Sequence, residues 1–188
     1  MFVVEISDKC YLKLLEPRDA ESLYSLINSS RDHLRRWLPW LDSNTTLKDS
    51  ESFIHYSLEQ FSNNNGFQAG IWYEENLVGL VGINSIMWNH KTASLGYWLG
   101  ENYEGKGLVT SACSKIIDYI FTDLALNRIE IRVAEGNAKS KAIPERLGFE
   151  LEGLSRESEW LYDHYEDTLI YGLLSKDYKK TKCYNSLT

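Results

Sequence analysis

The segment from residue 94 to residue 133 constrains the fold of this chain more than any other. An extended apolar run at 94–99 is followed by a loop with two glycines, a helix, and an alternating strand at 128–133. A strand, a long helix and a second strand predict a right-handed crossover that makes the two strands parallel neighbours. The helix carries the strongest periodic signal of the chain, with apolar residues at steps of three and four: Val109, Ala112, Cys113, Ile116, Ile117, Ile120, Phe121 and Leu124.

The remaining segments complete an α+β arrangement with a central, mixed, mainly antiparallel sheet flanked by helices. About seven strands are expected, at 10–15, 67–73, 77–86, 93–99, 128–133, 149–154 and 168–174. Helices are expected at 19–28, 33–41, 47–61, 109–124 and 138–147, with Pro39 bending or ending the second of them. No segment reads as a linker or a repeat, so residues 1–176 are expected to form a single domain and 177–188 a polar C-terminal tail.

Composition and charge narrow the class of function. With 43% hydrophobic and 25% charged residues, the chain is typical of one soluble globular domain, and its net charge of −7 does not favour a nucleic-acid partner. The N-terminus is not a signal peptide, and no segment approaches the ~18 apolar residues of a membrane span. We therefore expect a cytoplasmic protein with no membrane or nucleic-acid partner. The histidines are isolated and Cys10, Cys113 and Cys183 are widely spaced, so no metal site is predicted.

The glycine loop predicts an anion-binding site. Gly105 and Gly107 lie directly before the helix, where glycine lets backbone N–H groups point outward and the helix dipole presents its positive end. The loop has Thr110 where a dinucleotide fingerprint has its third glycine, and it lacks the Gly-Lys-Ser/Thr ending of a nucleotide P-loop. On the loop alone, a tight turn that binds nothing stays an open alternative.

A second motif identifies the anion by resemblance. Residues 137–149, Asn-Ala-Lys-Ser followed by Gly-Phe, resemble the Asn-x-x-Ser…Gly-Phe signature of GNAT-fold N-acetyltransferases, and residues 102–107 resemble their Arg/Gln-x-x-Gly-x-Gly/Ala pyrophosphate motif. Residues 35–41 and 96–99 are similar to the RimJ/RimL branch, whose named members acetylate the N-terminal amine of ribosomal proteins. The resemblance covers about 11–174 and implies the GNAT acyl-CoA N-acyltransferase fold with acetyl-CoA (coenzyme A) as cofactor.

The activity implied by this resemblance is acetyl transfer from acetyl-CoA to a primary amine, by direct attack in a ternary complex. The expected acceptor is the N-terminal amine of a protein, ribosomal in this branch, and a homodimer is also expected from the family. Two alternatives stay open. One is an N-acetyltransferase of small amines such as polyamines or aminoglycosides, and the other is a catalytically silent acyl-CoA-binding module.

The resemblance also assigns cofactor contacts. A backbone N–H near Leu99 or Gly100 would polarise the thioester carbonyl. By charge and position, Lys106, Lys139 and Lys141 are candidates for contacts with the cofactor phosphates, and ordinary surface lysines are the open alternative. Asn102 stands where the motif usually has Arg or Gln, so the backbone is expected to supply most of the pyrophosphate binding. The expected cofactor-binding set is Leu99, Gly100, Asn102, Gly105, Lys106, Gly107, Leu108, Val109, Thr110, Asn137 and Ser140.

Three residues are candidates for proton transfer. Ser140 falls where several family members place a hydroxyl near the cofactor sulfur, and the following segment lacks the Tyr that other members use as general acid. Glu159 resembles the acidic residue proposed as general base in this branch, and Trp160 and Tyr162 beside it would raise its pKa. Glu101 is the second choice for the base. The structural alternatives are that Ser140 caps a helix and that Glu159 belongs to a solvated acidic loop.

Three tryptophans are predicted to line the acceptor groove. Trp37 and Trp40 lie in the helical region that covers this groove in the GNAT fold, and Trp160 adjoins the proposed base. Aromatic residues also serve as ordinary core, and that alternative stays open for each of them.

Overall fold

The computed structural model describes residues 3–178, which build an eight-stranded sheet with helices on both faces. The strands are β1 (Val3–Ser7), β2 (Cys10–Leu14), β3 (Phe67–Tyr73), β4 (Asn76–Met87), β5 (Thr92–Leu99), β6 (Arg128–Ala134), β7 (Glu150–Leu161) and β8 (His164–Leu174). The helices are α1 (Ala20–Ser29), α2 (Arg31–Leu34), α3 (Leu47–Ser62), α4 (Leu108–Thr122) and α5 (Ala138–Arg146).

The strand order is β1-β2-β3-β4-β5-β6-β8-β7, and every neighbouring pair is antiparallel except β5 and β6. The parallel pair predicted around the glycine loop is therefore confirmed, with α4 as the connection. A parallel pair needs such a crossover because the chain must return to the same end of the sheet. The mainly antiparallel α+β architecture is confirmed as well.

The two faces of the sheet carry separate hydrophobic clusters. On one face α4 buries its apolar stripe, and Cys113 of that stripe is fully buried there as a small apolar side chain. On the other face α1 and α3 pack through residues such as Leu23 and Ile54. Because strand side chains alternate, Tyr97 packs on the α4 cluster and Trp98 on the α1–α3 cluster.

The structure differs from the sequence prediction in four elements. The sheet has β1 as an additional edge strand, whose residues are almost all exposed and so show no buried face to detect. The helical stretch expected at 33–41 stops earlier than predicted, at Leu34, and Pro39, expected to bend or end it, starts a separate 3₁₀ turn, Pro39–Ser43. The strands β7 and β8 extend well past the predicted 149–154 and 168–174 and form one long hairpin.

Within residues 3–178, no helix is long and apolar enough to cross a membrane, and no three His, Cys, Asp or Glu side chains are grouped as a metal site would need. Residues 179–188, which hold Cys183 and most of the predicted tail, lie outside the described part of the chain.

Candidate active site

A cleft opens where the parallel strands separate. The ladder between β5 and β6 holds only from Thr92 and Arg128 to Ser94 and Glu130, and beyond it the two strands diverge. The cleft has a volume of about 1590 Å³ and continues from the start of α4 to the α2 region. Single ligands commonly fill about 300–1000 Å³, so this cleft has room for two substrates side by side.

The backbone of β5 offers one of the two expected thioester donors. The Gly100 N–H donates to the Val78 carbonyl at 2.8 Å, so this donor is already used and its predicted role is wrong. Leu99 lies opposite Gly79, and hydrogen bonds to one neighbouring strand alternate along an antiparallel pair. The Leu99 N–H therefore points away from β4, toward the cleft that Leu99 lines.

The glycine loop has the open geometry that an anion cradle needs. Gly105 and Gly107 have φ angles of 74° and 73°, and a Cβ added at either would meet nothing within 4 Å. Gly107 is the residue before α4, so the free N–H groups of the first helical turn follow it directly. With Leu108, Val109 and Thr110, the two glycines line the cleft. These residues fit a phosphate-bearing cofactor.

Two members of the loop do not line the cleft. Asn102 is exposed on the 3₁₀ turn Glu101–Tyr103. The Lys106 ammonium lies 6.0 Å from the centre of the Tyr73 ring. The predicted side-chain contacts of Asn102 and Lys106 with the cofactor are therefore not formed by these conformations, and the backbone remains the basis of binding.

Charged side chains that the sequence analysis passed over lie at this end of the cleft. The Glu104 carboxylate forms an ion pair with Lys139 and lies 3.2 Å from Nε2 of His33. It therefore links the glycine loop to α2 and α5. The Arg146 guanidinium donates to the Thr110 hydroxyl at 3.4 Å and lines the cleft beside the start of α4. Lys141 is half-buried but is not among the lining residues. The importance of Glu104 could have been inferred from the sequence, because an acidic residue is unexpected inside a loop that is predicted to bind an anion.

Asn137 and Ser140 lie together at the start of α5. The Asn137 side-chain oxygen accepts from the Ser140 N–H at 3.1 Å, so Asn137 is the N-cap of this helix. Its amide nitrogen has no acceptor among the described residues, and it remains available to a ligand. Ser140 does not cap the helix with its hydroxyl. That hydroxyl donates instead to the Tyr97 hydroxyl at 3.3 Å, and both residues line the cleft.

The two candidate bases differ in position. Glu159 lies in β7, not in the loop that the sequence left open, and it lines the cleft opposite Glu166 of β8. Burial, and next to it the charge of Glu166, raises the pKa of Glu159 above its ordinary value. Glu101 is exposed and does not line the cleft. The structure thus contradicts Glu101 as the second choice.

Aromatic side chains line the other end of the cleft. Trp37 and Trp40 both contribute, and the Trp40 ring packs against Trp98 with 6.2 Å between ring centres. Trp160 does not line the cleft. The residue is 52% exposed, and its ring packs edge-on against Tyr165. Adjacent strand residues point to opposite faces, and Glu159 faces the cleft.

This arrangement has a counterpart in known proteins. Residues 9–150 match the family described as Acetyltransferase (GNAT) domain. The chain belongs to the GNAT acetyltransferase family. Among its relatives, YdaF of Bacillus subtilis strain 168 is 36% identical over 97% of this chain and 100% of its own length. The ribosomal-protein-serine acetyltransferase of Escherichia coli K12 is 27% identical over 89% of this chain and 94% of its own.

Solved GNAT structures agree with the fold described above. The microcin C7 self-immunity acetyltransferase MccE, in complex with acetyl-CoA and AMP, superimposes with a TM-score of 0.86 at 34% identity and covers 90% of this chain and 94% of its own. The RimL ribosomal L7/L12 α-N-protein acetyltransferase bound to coenzyme A has a TM-score of 0.89 at 21% identity, over 92% of this chain and 98% of its own, a likeness in fold. The RimJ/RimL-like resemblance is confirmed, and this GNAT protein is an acetyl-CoA-dependent N-acetyltransferase.

Proposed function

We propose that this protein acetylates the N-terminal amine of another protein, with ribosomal proteins as the acceptor class. The observation that carries the proposal is the single continuous cleft, which joins a phosphate cradle at one end to an aromatic groove with a carboxylate at the other. Two relatives support the acceptor class by name. They are the Escherichia coli ribosomal-protein-serine acetyltransferase and the ribosomal protein uS5-alanine N-acetyltransferase of the same organism.

Acetyl-CoA supplies the activated acyl group, and the chain supplies the contacts that hold it. We assign its pyrophosphate to the backbone N–H groups around Gly105 and Gly107, with Arg146 as a nearby cation. The Asn137 amide nitrogen is assigned to the pantetheine arm. The Leu99 N–H is the donor for the acyl oxygen, where one well-placed donor contributes about 3 kcal/mol to stabilisation of the transition state.

Proton transfer is assigned to two side chains. Glu159 takes the proton of the acceptor amine, since its raised pKa brings its basicity closer to that of the amine. Ser140, in the first turn of α5, gives a proton to the departing thiolate and regains one from the amine nitrogen that has attacked. Trp37 and Trp40 are assigned to the residues that follow the acceptor amine.

A panel of acceptors tests the proposal. Release of coenzyme A is measured with acetyl-CoA and peptides that begin with Ser or Ala, and the same peptides with a blocked N-terminus serve as controls. Mass spectrometry of the product locates the acetyl group. The proposal expects turnover only with the free N-termini. Turnover with spermidine or an aminoglycoside but not with peptides would assign a small-molecule acceptor, and tight cofactor binding without any turnover would reject the enzyme assignment.

The aromatic end of the cleft favours one second candidate, an amine carried on a nucleotide. A planar base stacks well on indole rings such as Trp37, and MccE, at 34% identity, has been solved with AMP bound. Adding an aminoacyl adenylate analogue to the panel tests this candidate. A kcat/KM for the analogue above that of every peptide would replace the first proposal.

We further propose a cytoplasmic homodimer that pairs through β7. This strand is twelve residues long, it forms one edge of the sheet, and Leu151 and Leu154 on it are exposed. Exposed apolar edge strands are templates for pairing with another chain. Light scattering measures the mass in solution. A Leu154→Lys variant is expected to be monomeric, and a wild-type monomer would reject the dimer.

A further inference from the structure

A proline inside α5 leaves one carbonyl without its ordinary partner. In an α-helix the N–H of each residue bonds the carbonyl four residues earlier, and proline has no N–H. Pro144 lies inside α5, so the carbonyl that loses this bond belongs to Ser140. The residue proposed as general acid is therefore also the residue whose backbone needs a second donor.

Tyr97 supplies that donor. Its hydroxyl donates to the Ser140 carbonyl at 3.0 Å, and it accepts from the Ser140 hydroxyl at 3.3 Å. One phenol thus holds both oxygen atoms of a residue 43 positions away in the sequence. Burial raises the pKa of Tyr97 well above its ordinary value, so the phenol keeps its proton at all working pH values.

Tyr97 reaches Ser140 across the mouth of the divided strands. It lies on β5 beyond Ser94, the last residue of that strand paired with β6. Its ring packs on the same face of the sheet as α4, where Ile143 of α5 also packs. The two hydrogen bonds therefore fix the first turn of α5 relative to β5, and residues of both elements line the cofactor cleft.

We propose that Tyr97 is a positioning residue for acetyl transfer, which replaces the missing N–H of Pro144 and holds the Ser140 hydroxyl toward the cleft. The inference rests on the proposed role of Ser140 as proton donor. Serine in a helix often donates to a carbonyl of the preceding turn, and such a bond would turn its hydrogen away from a ligand. Tyr97 offers the hydroxyl a partner on the cleft side instead.

The Tyr97 hydroxyl can donate to the Ser140 hydroxyl oxygen when Ser140 donates its own hydrogen to another acceptor. A hydroxyl carries one hydrogen, and the Tyr97 hydrogen lies within reach of both Ser140 oxygens. When Ser140 donates to a sulfur, its oxygen is free to accept from Tyr97. Hydrogen bonds in such a chain polarise one another, so Ser140 becomes a stronger donor at the moment when a thiolate needs one.

The test combines Tyr97→Phe with Pro144→Ala. The first substitution removes only the phenol oxygen, and the second restores an N–H four residues after Ser140. Thermal unfolding is measured for the wild type, both single variants and the double variant. Coenzyme A release is measured for the same four proteins over a range of acetyl-CoA concentrations, with a peptide beginning with Ser. We expect Tyr97→Phe to lower kcat about tenfold, a part of the roughly 10²- to 10⁴-fold that a general acid contributes, with a less than threefold change in the KM for acetyl-CoA.

The Pro144→Ala background separates positioning from simple structural support. There the backbone carbonyl has its own donor, so Tyr97→Phe is expected to lower the unfolding temperature less than in the wild type while still lowering kcat about tenfold. If the kcat loss shrinks together with the stability loss, Tyr97 supports only the helix and the proposal is overturned. The kcat values of Pro144→Ala with and without Tyr97→Phe can still be compared if Tyr97→Phe alone folds poorly.

Ser140→Ala completes the design. In this background Tyr97→Phe is expected to change kcat less than twofold, because the hydroxyl that it positions is gone. Full activity of Ser140→Ala, or another tenfold loss on top of it, would overturn the proposal while leaving acetyl transfer intact. Absence of turnover in the wild-type protein with every amine would reject the proposed function itself, and the role of Tyr97 with it.

Discussion

A substitution at Gly107 tests whether the glycine loop binds an anion or only forms a tight turn. Gly107 and Gly148 share the same backbone region, with φ angles of 73° and 80°, and an added Cβ meets nothing within 4 Å at either. Alanine at either position therefore costs only the left-handed backbone strain, about 1–2 kcal/mol. For a domain of this size, each kcal/mol corresponds to about 2–4 °C in unfolding temperature. The two variants should be destabilised equally.

Their effects on cofactor binding should differ, because only Gly107 lines the cleft. The alanine keeps its N–H, but its Cβ would occupy the open space over the loop and move the anion out of reach of one donor. Losing one hydrogen bond to a charged group costs about 1.5–3 kcal/mol, which corresponds to about a 10- to 150-fold weaker Kd. Calorimetric titration with coenzyme A measures the Kd of Gly107→Ala, Gly105→Ala and the control Gly148→Ala. We expect the loss in the first two variants only. Equal Kd values for Gly107→Ala and Gly148→Ala would refute the cradle.

Three further predictions concern the other site residues. The activity of the wild type should fall as the pH decreases through the raised pKa of Glu159, and the remaining activity of Glu159→Gln should not show this fall. The same substitution should raise the unfolding temperature at neutral pH, because it removes a charge that the folded protein disfavours. This gain should disappear at low pH, where the wild-type carboxyl is protonated. Asn102→Arg, which introduces the residue usual in the family motif, should lower the KM for acetyl-CoA a few-fold but leave the KM for S-acetylpantetheine, which has no pyrophosphate, unchanged. Asn137→Ala should lose about 1 kcal/mol of stability with the helix cap, whereas Asn137→Asp should keep the cap and only raise the KM for acetyl-CoA. Activity in Asn137→Asp equal to wild type would contradict a cofactor role for the amide nitrogen.

The local features of the chain were predictable because their causes are local. The spacing of apolar residues in α4, the alternation in β6 and the glycines before α4 each follow from the neighbouring sequence. The parallel pairing of β5 and β6 followed from the length of the connection. Edge strand β1 could not be predicted in this way, because it buries little and leaves no pattern.

The candidate site was predicted only in part, because cleft lining depends on pairing across the sheet. From the sequence, the N–H groups of Gly100 and Leu99 were equally good candidates for the thioester donor. Only the pairing with β4 shows that the Gly100 N–H donates to the Val78 carbonyl. Glu159 and Trp160 are neighbours in sequence, yet the pleat of β7 turns one into the cleft and the other outward.

The sequence by itself determined the phosphate cradle and the family motif, since both consist of consecutive residues whose backbone geometry depends on their own identity. It also contained Pro144, which removes a donor from the Ser140 carbonyl wherever the helix lies. Only the tertiary structure decided which group replaces that donor. Tyr97 lies 43 residues away in the sequence, and its hydroxyl reaches Ser140 because the fold brings β5 and the start of α5 together at one cleft.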